Sequence, residues 1–469
     1  MVPIDKGVLT VHANDLPPTG STFLIRGGCV LTLDPGLGDF ESANVLVRDG
    51  KIVDVGPDVE APGVPEIDAR NTIVLPGFVD THRHLWQGIL RNSVPDADLA
   101  EYMSTVHNVL AANFQPEDVY AGNYISALGA LNSGVTTILD WSQVQNTPQH
   151  SDAAVDALTA AGIRAVFAFG PAAGEAGVLP DDARNIAGRR FASSDSLVTL
   201  ALAAAGPEVL PADVAAHDWR LAKELDVRVA VHVGVSQYGQ HRHLEQFLLD
   251  NPVGDRTLFI HGNTLCDTEW QLIADSGGAV SISSAIEMQM GHGTPPIQRA
   301  LDRGLVPSLS VDVEVSIAGD FFTQMRSAFA AQRVNANELM LRGETAPALL
   351  RSHDVVNFAT LAGASATGLA DRTGSIAVGK QADLILLRTD LINVAPVNDA
   401  YGAIVTAMDT SNVDTVMVAG KIRKWRGKLV DVDIEKVCSE ARDARERVVR
   451  RSGGKTSLLT GVLAEPARI

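Results

Sequence analysis

Eight short apolar runs separated by helical segments lie between residues 76 and 373, β-rich runs flank them on both sides, and His or Asp residues end several of the apolar runs. Together these observations predict an α/β fold: a (β/α)8 TIM-type barrel with a small β-sandwich built from both chain ends. Strands of such a barrel are buried on both faces, so their sequences need not alternate.

Residues 1–75 are expected to supply the N-terminal part of the sandwich. After an irregular lead, FLIRGGCVLTLD, SANVLVRDGKIVDVG and EIDARNTIVLP are β-rich and carry Gly and Asp-Gly turns. The barrel is expected over 76–373. Its first strand runs through Phe78 and Val79 into Asp80-Thr81-His82-Arg83-His84. Pro116 near N1, Glu117 and Asp118 in a first turn and Gly134 past the end mark the following helix.

VTTILD, ending at Asp140, is the second strand; Ser151 is expected to N-cap SDAAVDALTAAG, and residues 163–169 form the third. Runs at 197–203, 227–233, 256–261, 279–283 and 305–312 complete the set, with a helix across 211–224. Residues 374–431, through GSIAVGKQADLILLR and VDTVMVAGKIRKWRGKLVD, return to β structure and close the sandwich. Residues 432–469 read as a charged amphipathic helix and a surface tail, the helix being a surface that a homo-oligomer could use.

Composition narrows the function classes. With 46% apolar and 20% charged residues the chain is a globular protein with ample core. A formal charge of −18 argues against a phosphate-backbone partner, so a small-molecule substrate is expected and no nucleic acid. Cys29, Cys266 and Cys438 are odd in number and far apart, which suits reduced thiols in the cytoplasm. The N-terminal stretch has no long apolar run, and no signal peptide or membrane span is expected.

The chemistry gathers at strand ends. In an extended segment His82 and His84 leave the same face, so both imidazoles can converge on one ion while Arg83 points away. His241-Arg242-His243 repeats the pattern, but with no strand before it that copy reads as the start of an exposed helix. His232, His261 and Asp312 end the fifth, sixth and eighth strands, at the face where barrels of this kind hold their sites. Three imidazoles and a carboxylate suit a borderline divalent metal with room left for water.

PGFVDTHRH, GVTTILD, VHVG, FIHG, SVD, ATLAGASATGL and GSIAVGKQADLIL, in this order and spacing from about residue 22 to 431, resemble the amidohydrolase superfamily, in its deaminase and chlorohydrolase branch. The resemblance implies one divalent metal, zinc or iron, held by His82, His84, His232 and Asp312, with His261 as a further ligand or a partner of the water. It further implies homodimers and hydrolytic removal of an amino or similar group from a nitrogen heterocycle. Asp312 would act as general base, and His261 would polarise the substrate. Two-metal relatives bridge their ions through a Lys ending strand four; LVTLALAAAGPEV has none, so a mononuclear site is expected.

One departure bears on the reaction. The branch carries a proton-shuttling Glu three residues past the strand-five His, and Val235 stands there. Glu287, His292 and Glu314 are the candidates to replace it. Alternatives are a cyclic-amide hydrolase or lyase that needs no such shuttle, or a non-catalytic binding descendant. Candidate substrate contacts are Trp86 as a stacking surface, Gln87 as an amide donor, His107 and His150, besides Glu287, His292 and Glu314. Asp140 is expected to support the site from behind, and His12, His217 and His353 to be surface or packing residues.

Overall fold

The computed structural model describes Val11, Leu16 and residues 22–463, except 173–178, 180, 181, 192, 194, 252, 459 and 460; His12 lies outside the described residues. Five strands precede the barrel: β1 (Thr22–Val30), β2 (Phe40–Arg48), β3 (Lys51–Gly56), β4 (Glu66–Asp68) and β5 (Thr72–Pro76). The barrel strands are β6 (Phe78–Arg83), β7 (Val135–Ser142), β8 (Arg164–Phe169), β9 (Val198–Ala204), β10 (Arg228–Val233), β11 (Thr257–His261), β12 (Ala279–Ile282) and β13 (Ser308–Leu309). They pair in parallel and in chain order, as expected of a (β/α)8 barrel.

The barrel interior has two different fillings. Leu139, Trp141, Val166, Ala201, Leu258 and Ile260 form an apolar cluster, with Ala366 and Leu369 packed against it. On the other side, hydroxyls satisfy one another: Thr81 Oγ1 lies 2.7 Å from Ser281 Oγ and 2.9 Å from Ser308 Oγ, and Ser310 Oγ lies 2.8 Å from Ser281 Oγ. The eighth strand is shorter than the apolar run at 305–312 suggests. Its ladder is only Ser308–Leu309, and the chain then bridges from Asp312 to Arg83.

The ends of the chain do meet. β14 (Leu384–Arg388) pairs antiparallel with β5 and continues through β15 (Val413–Val418), β16 (Lys421–Trp425) and β17 (Lys428–Leu429). The two expected sandwich halves thus form one nine-stranded sheet, eight strands in a continuous path with β4 paired to β1 beside it. Their shared core includes Phe23, Val45, Ile67, Val74, Leu384 and Met417. Gly77 joins sheet to barrel, and a Cβ there would lie 2.1 Å from Thr136 Oγ1.

The expected start of one helix is corrected. The helix assigned to begin at Ser151 starts a turn earlier, as Pro148–Ala161 with Pro148 in its first turn, and Ser151 Oγ donates to Gln145 Oε1 instead of capping. The helix Ile434–Arg451 buries Val437, Ala441, Ala444 and Val448 against its own chain, and Arg447 Nη2 reaches the fully buried Asp118 carboxylate at 2.8 Å. Part of the expected tail is a hairpin, Lys455–Ser457 with Gly461–Leu463. Among the described residues no helix is long and apolar enough to cross a membrane.

A buried ion pair ties the start of β8 to the small sheet. Arg164 Nε and Nη2 donate to Asp383 Oδ2 and Oδ1 at 2.7 and 2.9 Å, and Ala419 N–H donates to the same Oδ1 at 2.7 Å. Removing one charge strands the other away from water. Asp383→Ala is therefore expected to lower the free energy of unfolding by about 3–5 kcal/mol in urea titrations, whereas the paired Arg164→Met/Asp383→Leu replacement recovers most of that loss.

Candidate functional site

The C-terminal ends of β6, β10 and β11, with the segment after β13, converge on one point. Ligand-type atoms of His82, His232, His261 and Asp312 all lie within 4.8 Å of one another. His82 Nε2 is 3.0 Å from Asp312 Oδ1 and 3.2 Å from His232 Nε2, and His261 Nε2 is 3.6 Å from Asp312 Oδ2. His84 stands one step out: its Nε2 is 3.3 Å from Asp312 Oδ1, and its ring stacks parallel on His232 with centroids 5.7 Å apart. The exposed pair His241 and His243 gathers no such group among the described residues.

Hydrogen bonds on the far sides of the rings set which nitrogen faces inward. His261 Nδ1 is 3.0 Å from Glu287 Oε1, and Glu287 is itself held by the Ser283 N–H at 2.9 Å and Asn263 Nδ2 at 3.2 Å. His84 Nδ1 donates to Gln143 Oε1 at 2.8 Å. These bonds hold the His84 and His261 rings so that Nε2 of each faces Asp312. Among the described residues His82 Nδ1 has no hydrogen-bond partner. His261 and Asp312 also hold φ of 75° and 68°, a left-handed backbone that is uncommon outside glycine and clusters at functional sites.

Burial controls the charges. It pushes His82 down to about 3 in spite of Asp312, and His232 well below the usual imidazole range. For His261 burial works the same way, but the carboxylates of Glu287 and Asp312 outweigh it and raise the pKa. Burial opposes the charge on Asp312 too; the imidazoles of His82 and His84 more than offset this and hold it well below the usual carboxylate range. The result is neutral imidazoles at His82 and His232 and a more basic one at His261, all facing an ionised carboxylate, a donor set that fits a divalent cation.

This group opens on a cavity of about 400 Å³, a size suited to a small ligand. His107 and His292 line it. His292 is buried with neither ring nitrogen hydrogen-bonded among the described residues, and burial pushes it down to about 4.

Other expected contacts sit elsewhere. The six residues after His84 coil into a tight helical turn that turns Trp86 and Gln87 inward. Both are fully buried off the cavity wall, with Trp86 Nε1 donating to Gln143 Oε1 at 3.1 Å and Gln87 Nε2 to the Tyr102 hydroxyl at 2.6 Å. His150 is occupied by Thr147 and the Phe114 carbonyl. Glu314 pairs with Arg91 at 2.9 Å, which leaves Glu287 and Glu314 behind the wall.

The sequence reading missed Tyr102, Trp141, Gln143 and Glu208, all of which line the cavity. Trp141 packs 4.2 Å from the His232 ring and stands one residue past the expected end of its strand. Glu208 follows β9 by four residues, at the same face as the other strand ends, and that position was its only signal.

Residues 73–423 match the model of the family described as Amidohydrolase family. The chain is 27% identical over 443 residues to a 5'-deoxyadenosine deaminase of Methanosarcina mazei, covering 91% of this chain and 98% of that protein. It is similar in fold to a triazine hydrolase variant, with TM-score 0.82, 22% identity and 91% and 100% of the two chains covered. It is also similar to an adenosine deaminase from Xanthomonas campestris with bound zinc, with TM-score 0.81, 24% identity and 91% and 98% covered.

A raised imidazole pKa gives stability that is fully present below the unfolded value, about 6.5, and is lost as pH rises through the folded value. Glu287→Gln removes the charge that supports the His261 imidazolium. In metal-free protein the stability lost on this substitution is therefore expected to be larger below pH 6 than above pH 8, as read from urea midpoints across pH; equal losses would show that His261 takes up no extra proton on folding.

Proposed function

The chain belongs to the amidohydrolase family and is accordingly a hydrolase; from that premise we propose that it is a metal-dependent deaminase acting on the aminated ring of adenosine derivatives. The observation that carries this reading is the convergence of His82, His232, His261 and Asp312 within 4.8 Å at the mouth of the barrel. The deaminase relative, similar over nearly its whole length, supports the reaction and the substrate class.

His82, His84, His232 and Asp312 would hold one ion, with His261 beside it. Zinc is the better candidate and iron the second, since neutral imidazoles and one carboxylate suit a borderline cation. Such an ion would supply a water molecule of lowered pKa.

The chain's own groups do the rest. Asp312, held ionised, accepts a proton from the attacking water. His261, its Nδ1 fixed by Glu287, presents Nε2 to the reacting centre and steadies developing charge. His292 offers two unpartnered ring nitrogens to a polar heterocycle, and Trp141, Met103, Val235 and Met290 form apolar walls for a planar ring.

Chelation should abolish ammonia release from 5'-deoxyadenosine and adenosine, and one equivalent of Zn(II) or Fe(II) should restore it. Product masses should show NH2 replaced by OH; gain of a whole water would favour ring opening instead, and no product from purine, pyrimidine or triazine amines would remove the reading. His292→Ala should raise KM about tenfold, the equivalent of one lost hydrogen bond, with metal content unchanged.

A further inference from the structure

Expelling an amino group requires a proton on the departing nitrogen, and few groups lining the cavity can bring one. Asp312 is engaged as the acceptor of the water's proton, and the His261 ring is held between Glu287 at 3.0 Å and Asp312 at 3.6 Å. Burial pushes His107 to about 3 and His292 to about 4, so both are neutral near pH 7. Burial likewise raises the Tyr102 hydroxyl well above its ordinary value.

Glu208 differs in position and environment. It lies in the loop after β9, half-buried in the cavity wall, and the Gly234 N–H donates to its Oε1 and Oε2 at 2.9 Å each. Gly234 is two residues past His232 and directly precedes Val235, which lines the same cavity. A carboxylate from the fourth strand end is thus pinned against the fifth, beside a valine that has no proton to give. Burial, helped by the Glu269 carboxylate and opposed by the Gly234 N–H, raises Glu208 to about 7, so that both forms are populated near neutrality.

We propose that Glu208 carries the proton that lets the amino group leave. The inference rests on the deaminase reading above. Water gives one proton to Asp312 as its oxygen bonds to the ring carbon bearing NH2, and Asp312 passes that proton to the adjacent ring nitrogen. Protonated Glu208 donates to the NH2 group; the C–N bond breaks, and its electron pair leaves with nitrogen as ammonia. Glu208 then takes the remaining proton of the new hydroxyl as C=O forms, and returns to its starting state.

A chloride leaving group needs no proton, which separates this role from a structural one. Glu208→Gln keeps an oxygen for the Gly234 N–H. With adenosine its kcat should fall about a hundred- to ten-thousand-fold with KM little changed and metal content equal to wild type, while 6-chloropurine ribonucleoside should lose less than tenfold. Equal losses on both substrates, or none on either, would overturn the proposal. A wild type inert toward both would instead remove the deaminase reading itself. Should the variant lose its metal or its fold, wild-type pH profiles decide: kcat for adenosine should decline above about pH 7 as Glu208 loses its proton, and kcat for the chloro substrate should not. Parallel profiles would count against Glu208.

Discussion

Asp312 N–H donates to the His82 carbonyl at 2.9 Å, and His84 N–H donates to the Asp312 carbonyl at 2.9 Å. These two hydrogen bonds bring the eighth strand segment back to the first. The backbone that closes the barrel is also the backbone that carries the site, so neither can shift without the other. Asp80 reinforces the seam from below: its Oδ1 accepts from Val311 N–H at 3.1 Å, and its Oδ2 accepts from Arg83 Nε at 2.8 Å. Arg83, between the two histidines, points away from them into this support and reaches the Gly319 carbonyl at 2.9 Å.

Closure in this form has a cost. Asp312 and His261 adopt left-handed backbone, worth about 1–3 kcal/mol of strain each. The surrounding structure holds them there through buried contacts that leave little freedom. Glu287 grips the outer nitrogen of His261, and Asn263 and the Ser283 N–H grip Glu287. The site is thus preorganised from behind, and its inward-facing ring nitrogens are already in place to receive a cation.

The fold was legible because its signals are periodic and local. Strands buried on both faces read as continuous apolar runs, and the i, i+2 geometry of a strand puts His82 and His84 on one side whatever surrounds them. Gln87, Trp86, His150 and Glu314 show the limit of that logic. Distance along the chain from a strand end says that a residue is near the mouth, not which way it turns. A tight helical turn buries the first two, the first turn of a helix takes up His150, and Arg83 and Arg91 draw Glu314 behind the wall. Glu208 went unread for the opposite reason: its loop carries no motif, and only packing brings it to Gly234.

The acidic residues around the mouth show how environment, more than residue type, assigns roles. Asp140 and Asp80 are fully buried and lifted to about 7 and about 6, yet both spend their oxygens on neighbours: Asp140 on Leu85 N–H and Asn123, Asp80 on Arg83 and the Val311 N–H. Their work is architectural. Glu314 is as deeply buried, but Arg91 and Arg83 hold it as the anion, where it can only anchor. Asp312, though buried, is kept ionised by hydrogen bonds with His82 and His84, so it faces the cavity as an acceptor. Glu208 alone among these five combines a raised pKa with a place on the cavity wall. A sequence lists five carboxylates without distinction; two arginines, a few imidazoles and a handful of backbone N–H groups divide them into anchors, an acceptor and a proton carrier.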